Sequence, residues 1–161
     1  IQILELTHPH TIYTHNPADR HPTHVGAFQL ALESIRHLNA NEQPTQFYGA
    51  EFWGSLDWVD PHQRISFDCS QDQDLQDKLL RVFSSQNAAK DYPQGLLGRR
   101  KANATLLNSH QADQHEAVVY ALDLLPLLDN PDLQPGTYLA PLLDEFKSSV
   151  ISRLKKEERK D

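Results

Sequence analysis

The chain has 161 residues, of which 39% are hydrophobic and 23% charged, a balance that fits one globular domain and excludes disordered and collagen-like classes. Its formal net charge of −7 argues against nucleic-acid binding, because phosphate contacts need a basic face. Cys69 is the single cysteine and no apolar run has the length of a membrane span or signal peptide, so we expect a cytoplasmic protein with no intrachain disulfide and no membrane span.

The first half of the sequence predicts helices and strands in alternation. Residues 1–7 indicate the end of a helix that Pro9 interrupts, and residues 11–15 are β-branched and aromatic, as in a buried strand. Pro22 suits the first position of a helix because its missing N–H would be unpaired there. Apolar residues then recur at helical spacing, at Val25, Phe28, Leu32 and Ile35. Two more strands are predicted around residues 45–53 and 63–69.

The second half of the sequence predicts mainly helices. Ser70 and Gln73 match a capping box, and the helix that follows is predicted to bury the stripe Leu75, Leu79, Val82 and Phe83. Further helices are predicted over residues 95–110 and 115–125. A last helix from Pro141 carries an apolar stripe that is a candidate subunit interface in a homo-oligomer, formed by Leu142, Leu143, Phe146, Val150 and Leu154.

These elements together predict the fold class. We expect an α/β fold with a Rossmann-like parallel sheet flanked by helices and a helix-rich C-terminal half, in a single domain over residues 1–161. In such sheets the ligand site lies beyond the carboxyl ends of the strands. The segment HNPADRHPTHVGA, residues 15–27, occupies that position between the first strand and its helix.

The histidines of this segment are candidates for a metal site. His24 is in line with Phe28 and Ile35 on the predicted helix, so its ring is expected to point towards the sheet. Zinc needs three protein ligands, and His24 is the first candidate, with His15 or Asp19 as its possible partners. The alternative is a capped helix start whose histidines are satisfied by hydrogen bonds in the core.

Four segments resemble one known family. The segment ADRHPTHVGA is similar to the His-Pro-Asp-His motif of the PIG-L or LmbE-like family of zinc-dependent de-N-acetylases, which ends a parallel strand and opens a helix. VFSSQ, residues 82–86, resembles a later His-x-Ser-Gln element of that family, and GLLGRRKANAT followed by YALDLLPLL resembles its variable end. Thr23 and Phe83 replace the Asp and His of the family motifs.

The resemblance implies roles for two histidines. His24 is the expected zinc ligand, and His21 the expected catalytic residue that stabilises an oxyanion or passes a proton to the leaving amine. The family's first motif, which carries two zinc ligands and a catalytic aspartate, has no counterpart in this sequence. The chain also begins at Ile1 and contains no methionine. We therefore expect it to be the C-terminal portion of a larger deacetylase domain, inactive by itself.

The implied activity is zinc-dependent hydrolysis of an N-acetyl group on an N-acetylglucosamine-type substrate, such as an amino-sugar conjugate. Asp19 and Arg20 are expected to bind the substrate. Arg20 is placed to meet a substrate hydroxyl or anion, unless it forms a surface salt bridge. Arg99 can hold a phosphate or carboxylate of the substrate, unless residues 99–101 are a solvated helix face. Trp53 and Trp58 are candidates for stacking on a sugar ring, although core packing and loop anchoring explain them better.

Two other functions fit the same sequence. A noncatalytic amino-sugar-binding or regulatory module could keep the deacetylase scaffold without its first motif. A structural domain attached to a sugar-phosphate enzyme is the other alternative. Zinc content separates these functions from an enzyme, because only the enzyme requires a bound ion with three protein ligands.

Overall fold

The computed structural model describes residues 1–107 and 111–157, with side chains described as far as residue 155. Its first half contains α1 (Gln2–Thr7), β1 (Thr11–His15), α2 (Pro22–Arg36), β2 (Gln46–Glu51) and β3 (Ile65–Asp68). Short 3₁₀ turns lie at Ala40–Glu42 and Pro61–Gln63. The second half contains α3 (Gln73–Arg81), α4 (Ser84–Asn87), α5 (Tyr92–Leu106), β4 (Val118–Asp123), α6 (Pro126–Asp129) and α7 (Pro135–Glu157).

The strands form one mixed sheet in the order β1-β2-β4-β3. β1 and β2 are parallel, with Thr11 opposite Gln46 and His15 opposite Ala50. β3 and β4 are antiparallel, so the prediction of an α/β fold flanked by helices is confirmed but the sheet is not wholly parallel. The chain between β3 and β4 is long, and a connection of that length permits either strand direction.

The chain groups into two compact units. The first comprises Ile1–Ala50, Leu56–Arg64 and the described residues from Leu122 onward, and the second comprises Glu51–Ser55 and Ile65–Ala121. The core of the first unit is the buried face of α2 with side chains of β2 and α6, namely Phe28, Leu32, Ile35, Phe47 and Leu127. The second unit buries β4 residues together with Asn103 and Ala104 of α5.

The prediction of a helix over residues 115–125 is wrong, because β4 occupies this segment. Val118, Val119, Tyr120 and Ala121 are all buried. A strand that is buried on both faces has no alternation of polar and apolar residues, so its pattern cannot be told from that of a short buried helix. The β-branched pair Val118–Val119 is the local feature that favours a strand.

Two predicted helices also differ in their extent and packing. α3 ends at Arg81 after 9 residues, and its predicted core stripe is exposed, with Leu75 at 52% and Leu79 at 59%. α7 begins at Pro135 and contains Pro141 in its interior. Leu143, Phe146 and Leu154 of its apolar stripe are exposed, and the expected subunit interface there remains a prediction.

Within the described part of the chain, no helix combines the length and apolar character that crossing a membrane demands.

Candidate metal centre

The loop between β1 and α2 is held by its own hydrogen bonds. Asn16 is fully buried. Its backbone N–H donates to the Ala50 carbonyl at 3.2 Å, and its side-chain Oδ1 accepts from the backbone N–H of Ala18 at 2.8 Å. The Asp19 amide then donates to the Asn16 carbonyl at 3.2 Å. A buried asparagine with these partners fixes the chain as it leaves the strand, because each bond satisfies a group that water cannot reach.

Gly49 of β2 allows this loop to approach the sheet. A Cβ atom at position 49 would lie 2.9 Å from Cδ1 of Leu124 and 3.1 Å from the Asn16 Cα. Real Cβ atoms do not approach other atoms so closely, so any larger residue would displace Leu124 or the start of the loop.

His21 caps the N-terminus of α2. Its Nδ1 accepts a hydrogen bond from the Thr23 amide at 3.3 Å, with Pro22 at the first helical position. An Nδ1 atom that accepts a hydrogen bond carries no proton, so the neutral ring is protonated at Nε2. The backbone amide of Thr23 therefore sets the tautomer of His21.

Asp19 joins the loop backbone to the histidines. Its Oδ1 accepts from the His21 amide at 2.7 Å, and its Oδ2 lies 2.8 Å from Nδ1 of His24. Burial raises the pKa of Asp19, but the His21 amide and the hydrogen bond and charge of His24 outweigh it, so the pKa lies below its usual value. The carboxylate is therefore ionised at neutral pH, and it leaves Nε2 of His24 as the nitrogen that can bind a metal.

Three imidazole rings lie side by side at this position. The rings of His15 and His24 are stacked with centroids 4.0 Å apart and 1° between their planes. The His21 ring is also close, with its centroid 4.7 Å from that of His24. The side chains of His24 and Asp19 are 25% and 12% exposed, so the cluster is neither turned into bulk solvent nor enclosed in hydrocarbon.

The cluster contains donor atoms that lie close enough together to hold a small divalent cation. His15, Asp19 and His24 each offer one ligand atom, and these atoms lie within 4.8 Å of one another. In a tetrahedral site with bonds of about 2.0–2.1 Å, ligand atoms are roughly 3.3 Å apart. Zinc accepts imidazole nitrogens as ligands, and the Asp19 carboxylate, which faces Nδ1 of His24, is placed to orient that ring.

The predicted site residues fall into two groups. Asp19, His21 and His24 lie together, as the sequence predicts, and Arg20 beside them is exposed. Within residues 1–107 and 111–155, the ion pairs are formed by other side chains, and Arg20 belongs to none of them. Arg99 belongs to the second unit, where its Nη1 donates to Oγ of Ser55 at 3.2 Å.

The contacts of Asp19 differ from those expected of a substrate-binding residue, because they are made with the two histidines. The spacing of the histidines along the chain does not predict that His15 stacks on His24. The one sequence signal for this contact is that His15 ends the predicted strand, where the loop to α2 begins.

No protein-family model matches this chain, and no curated protein and no solved structure matches it either.

Proposed function

We propose that this chain carries part of the active site of a zinc-dependent hydrolase that removes the acetyl group from an N-acetylglucosamine-type substrate. The observation that supports this proposal most directly is the convergence of His15, Asp19 and His24 beside the capping His21. The resemblance of ADRHPTHVGA to the de-N-acetylase motif supplies the choice of metal and reaction. We extend the proposal to a Rossmann-like arrangement of the parallel strands and to a cytoplasmic location.

The ligand roles follow from the contacts of each side chain. Nε2 of His24 would bind the ion, since the Asp19 carboxylate faces Nδ1. Asp19 would fix the orientation of that ring and raise its basicity. His15, stacked on His24, would supply a second nitrogen. When bound, zinc would polarise the acetyl carbonyl and lower the pKa of water towards neutrality.

His21 would act on the substrate and not on the metal. Its Nδ1 is occupied by the Thr23 amide, so Nε2–H is the group that can donate to a developing oxyanion or to the leaving amine. General acid catalysis by a well-placed imidazole contributes roughly 10²–10⁴ in rate. Arg20, exposed beside it, would meet a hydroxyl or anionic group of the amino sugar.

Metal binding by the purified protein tests the ligand assignment. We expect one zinc ion per chain by calorimetry and by competition with a chromophoric chelator. His24→Ala should weaken binding by more than about 100-fold, because a ligand is lost outright. His62→Ala is the matched control, since His62 is exposed in a 3₁₀ turn of the same unit, and it should leave affinity unchanged. Equal zinc affinity in His24→Ala and wild type would refute the assignment.

Hydrolysis by the complete protein tests the role of His21. His21→Ala should retain zinc but release acetate from the amino-sugar conjugate at least about 100-fold more slowly, as expected for loss of a general acid. Zinc binding without any hydrolysis by the wild-type protein would instead favour a noncatalytic amino-sugar-binding module.

A further inference from the structure

A short turn in the second unit holds a tryptophan at the surface. Oε1 of Glu51 accepts from the amides of Trp53 and Gly54 at 3.0 and 2.9 Å. One carboxylate oxygen thus satisfies two successive amides and closes the turn. Trp53 remains 46% exposed, although a tryptophan is among the most favourable residues to bury. The turn therefore displays a large aromatic surface to solvent.

The Trp53 ring is fixed by α5. It meets the ring of Tyr92 edge to face, with centroids 5.4 Å apart and 63° between the planes. A Cβ atom on Gly95 would lie 3.6 Å from Cζ3 of Trp53, so the ring lies against the helix surface where there is no side chain. A ring that is already oriented loses little conformational freedom when a ligand stacks on it.

A cation is anchored next to the same turn. Arg99 lies one helical turn after Gly95, and its Nη1 donates to Oγ of Ser55 at 3.2 Å. Ser55 in turn donates to Oδ1 of Asn103 at 2.7 Å, and Nδ2 of Asn103 donates to the Val118 carbonyl at 3.1 Å. Ser55 and Asn103 are buried, so a neutral network holds the guanidinium in place.

The charge of Arg99 has no acidic partner in the part of the chain that the structure describes, where the ion pairs involve other residues. Arg99 is half-buried. A guanidinium that is partly removed from water without a carboxylate is costly, and the fixed fork of its donors matches the oxygens of an anion. An anionic ligand would offset this cost.

We propose that Trp53, Tyr92 and Arg99 form a binding site for a small ring compound that carries an oxyanion. The ring would stack on Trp53, and a phosphate or carboxylate would pair with Arg99. Stacking and a charge-assisted pair complement each other, because the first recognises a flat face and the second a charged substituent. The site needs no metal ion, so it stands independently of the histidine cluster.

Fluorescence of Trp53 tests this proposal. The chain has two tryptophans, so Trp58→Phe leaves Trp53 as the only one. With EDTA present to remove metal ions, we expect glucose 6-phosphate or glucuronate to quench the Trp53 emission. Comparison of the two sugars shows whether the site prefers a phosphate or a carboxylate. Either should bind at least about tenfold more tightly than inorganic phosphate or methyl glucoside, which offer only one of the two contacts. No quenching by either anionic sugar, or equal binding of methyl glucoside, would overturn the proposal.

Variants of α5 locate the anion. Arg99→Gln keeps a hydrogen-bond donor for Ser55 but removes the positive charge. It should lower the affinity for the tighter-binding anionic sugar by about tenfold or more. Lys101→Gln removes an exposed charge from the same helix and should leave affinity unchanged. Circular dichroism checks that both variants fold. Wild-type affinity in folded Arg99→Gln, or equal losses in both variants, would contradict the assignment of Arg99.

Discussion

At the level of single residues, one carboxylate determines the chemistry of the histidine cluster. Asp19 contacts both the His21 amide and the His24 ring. In Asp19→Asn the amide oxygen can still accept from His21, but the negative charge facing His24 is lost. We expect zinc affinity to fall by about 10–100-fold, the usual effect of losing a carboxylate that orients a metal-binding histidine. Chelator competition measures the change.

Asp60 provides a matched control for this substitution. Its Oδ1 accepts from the His62 amide at 2.9 Å, which is the same local turn that Asp19 forms with His21. Asp60→Asn makes the same substitution in a turn of the same kind, and it should leave zinc affinity unchanged. If Asp19→Asn binds zinc as well as Asp60→Asn does, the carboxylate has only the role of a turn residue.

The single cysteine gives a prediction about pH. Burial raises the pKa of the Cys69 thiol, the charge of Arg100 lowers it, and the charge of Asp68 raises it, with a net upward shift. A raised pKa means less thiolate at a given pH, and only the thiolate reacts. The pH–rate profile for iodoacetamide should therefore have its midpoint above that of a free thiol, about 8.5. Arg100→Gln should move the midpoint higher, and a midpoint at or below the free-thiol value would contradict this explanation.

At the level of elements, β1 and α2 were predictable from local sequence because their patterns are unambiguous. Thr11–His15 is β-branched and closed by Asn16 and Pro17, and Pro22 opens a helix with apolar residues at regular spacing. β4 was not predictable, because burial on both faces removes the alternation that identifies a strand. The exposure of Leu75 and Leu79 was not predictable either, since spacing shows that a helix has an apolar face but not what covers it.

Two glycines give opposite predictions for the same substitution. Gly49→Ala would bring a methyl group within 2.9 Å of Leu124 and 3.1 Å of the Asn16 backbone, and we expect it to reduce the free energy of unfolding by about 1–3 kcal/mol. Gly98→Ala, inside α5 with nothing within 4 Å of the new Cβ, should increase it by roughly 0.5–1 kcal/mol. Urea denaturation measures both, and a shift of the same sign in both variants would refute the argument from packing.

At the level of the whole molecule, zinc should stabilise the folded chain. A ligand that binds only the native state at a free concentration 100 times its Kd adds about 2.7 kcal/mol to the free energy of unfolding. We expect Tm to rise with zinc concentration, and His24→Ala to remove most of this rise. An equal rise in both proteins would indicate that zinc binds elsewhere on the chain.

The sequence specified the class of the molecule better than its arrangement. Alternating helices and strands predicted α/β, but the antiparallel direction of β3 against β4 depends on a long connection that no local pattern describes. Likewise, His21 and His24 could be chosen as neighbours from their spacing on one helical turn. The pairing of His15 with His24 depends on the path of the loop, which the buried side chain of Asn16 determines.

The position of the cluster within one continuous segment, His15 to His24, affects how the molecule assembles. Closing a loop of about ten residues takes roughly 10–100 ns, whereas strands that are distant along the chain pair far more slowly. Before the sheet is complete, these side chains can already meet and capture an ion. Partial chelation by the denatured ensemble would then make the thermal shift smaller than the native affinity alone implies.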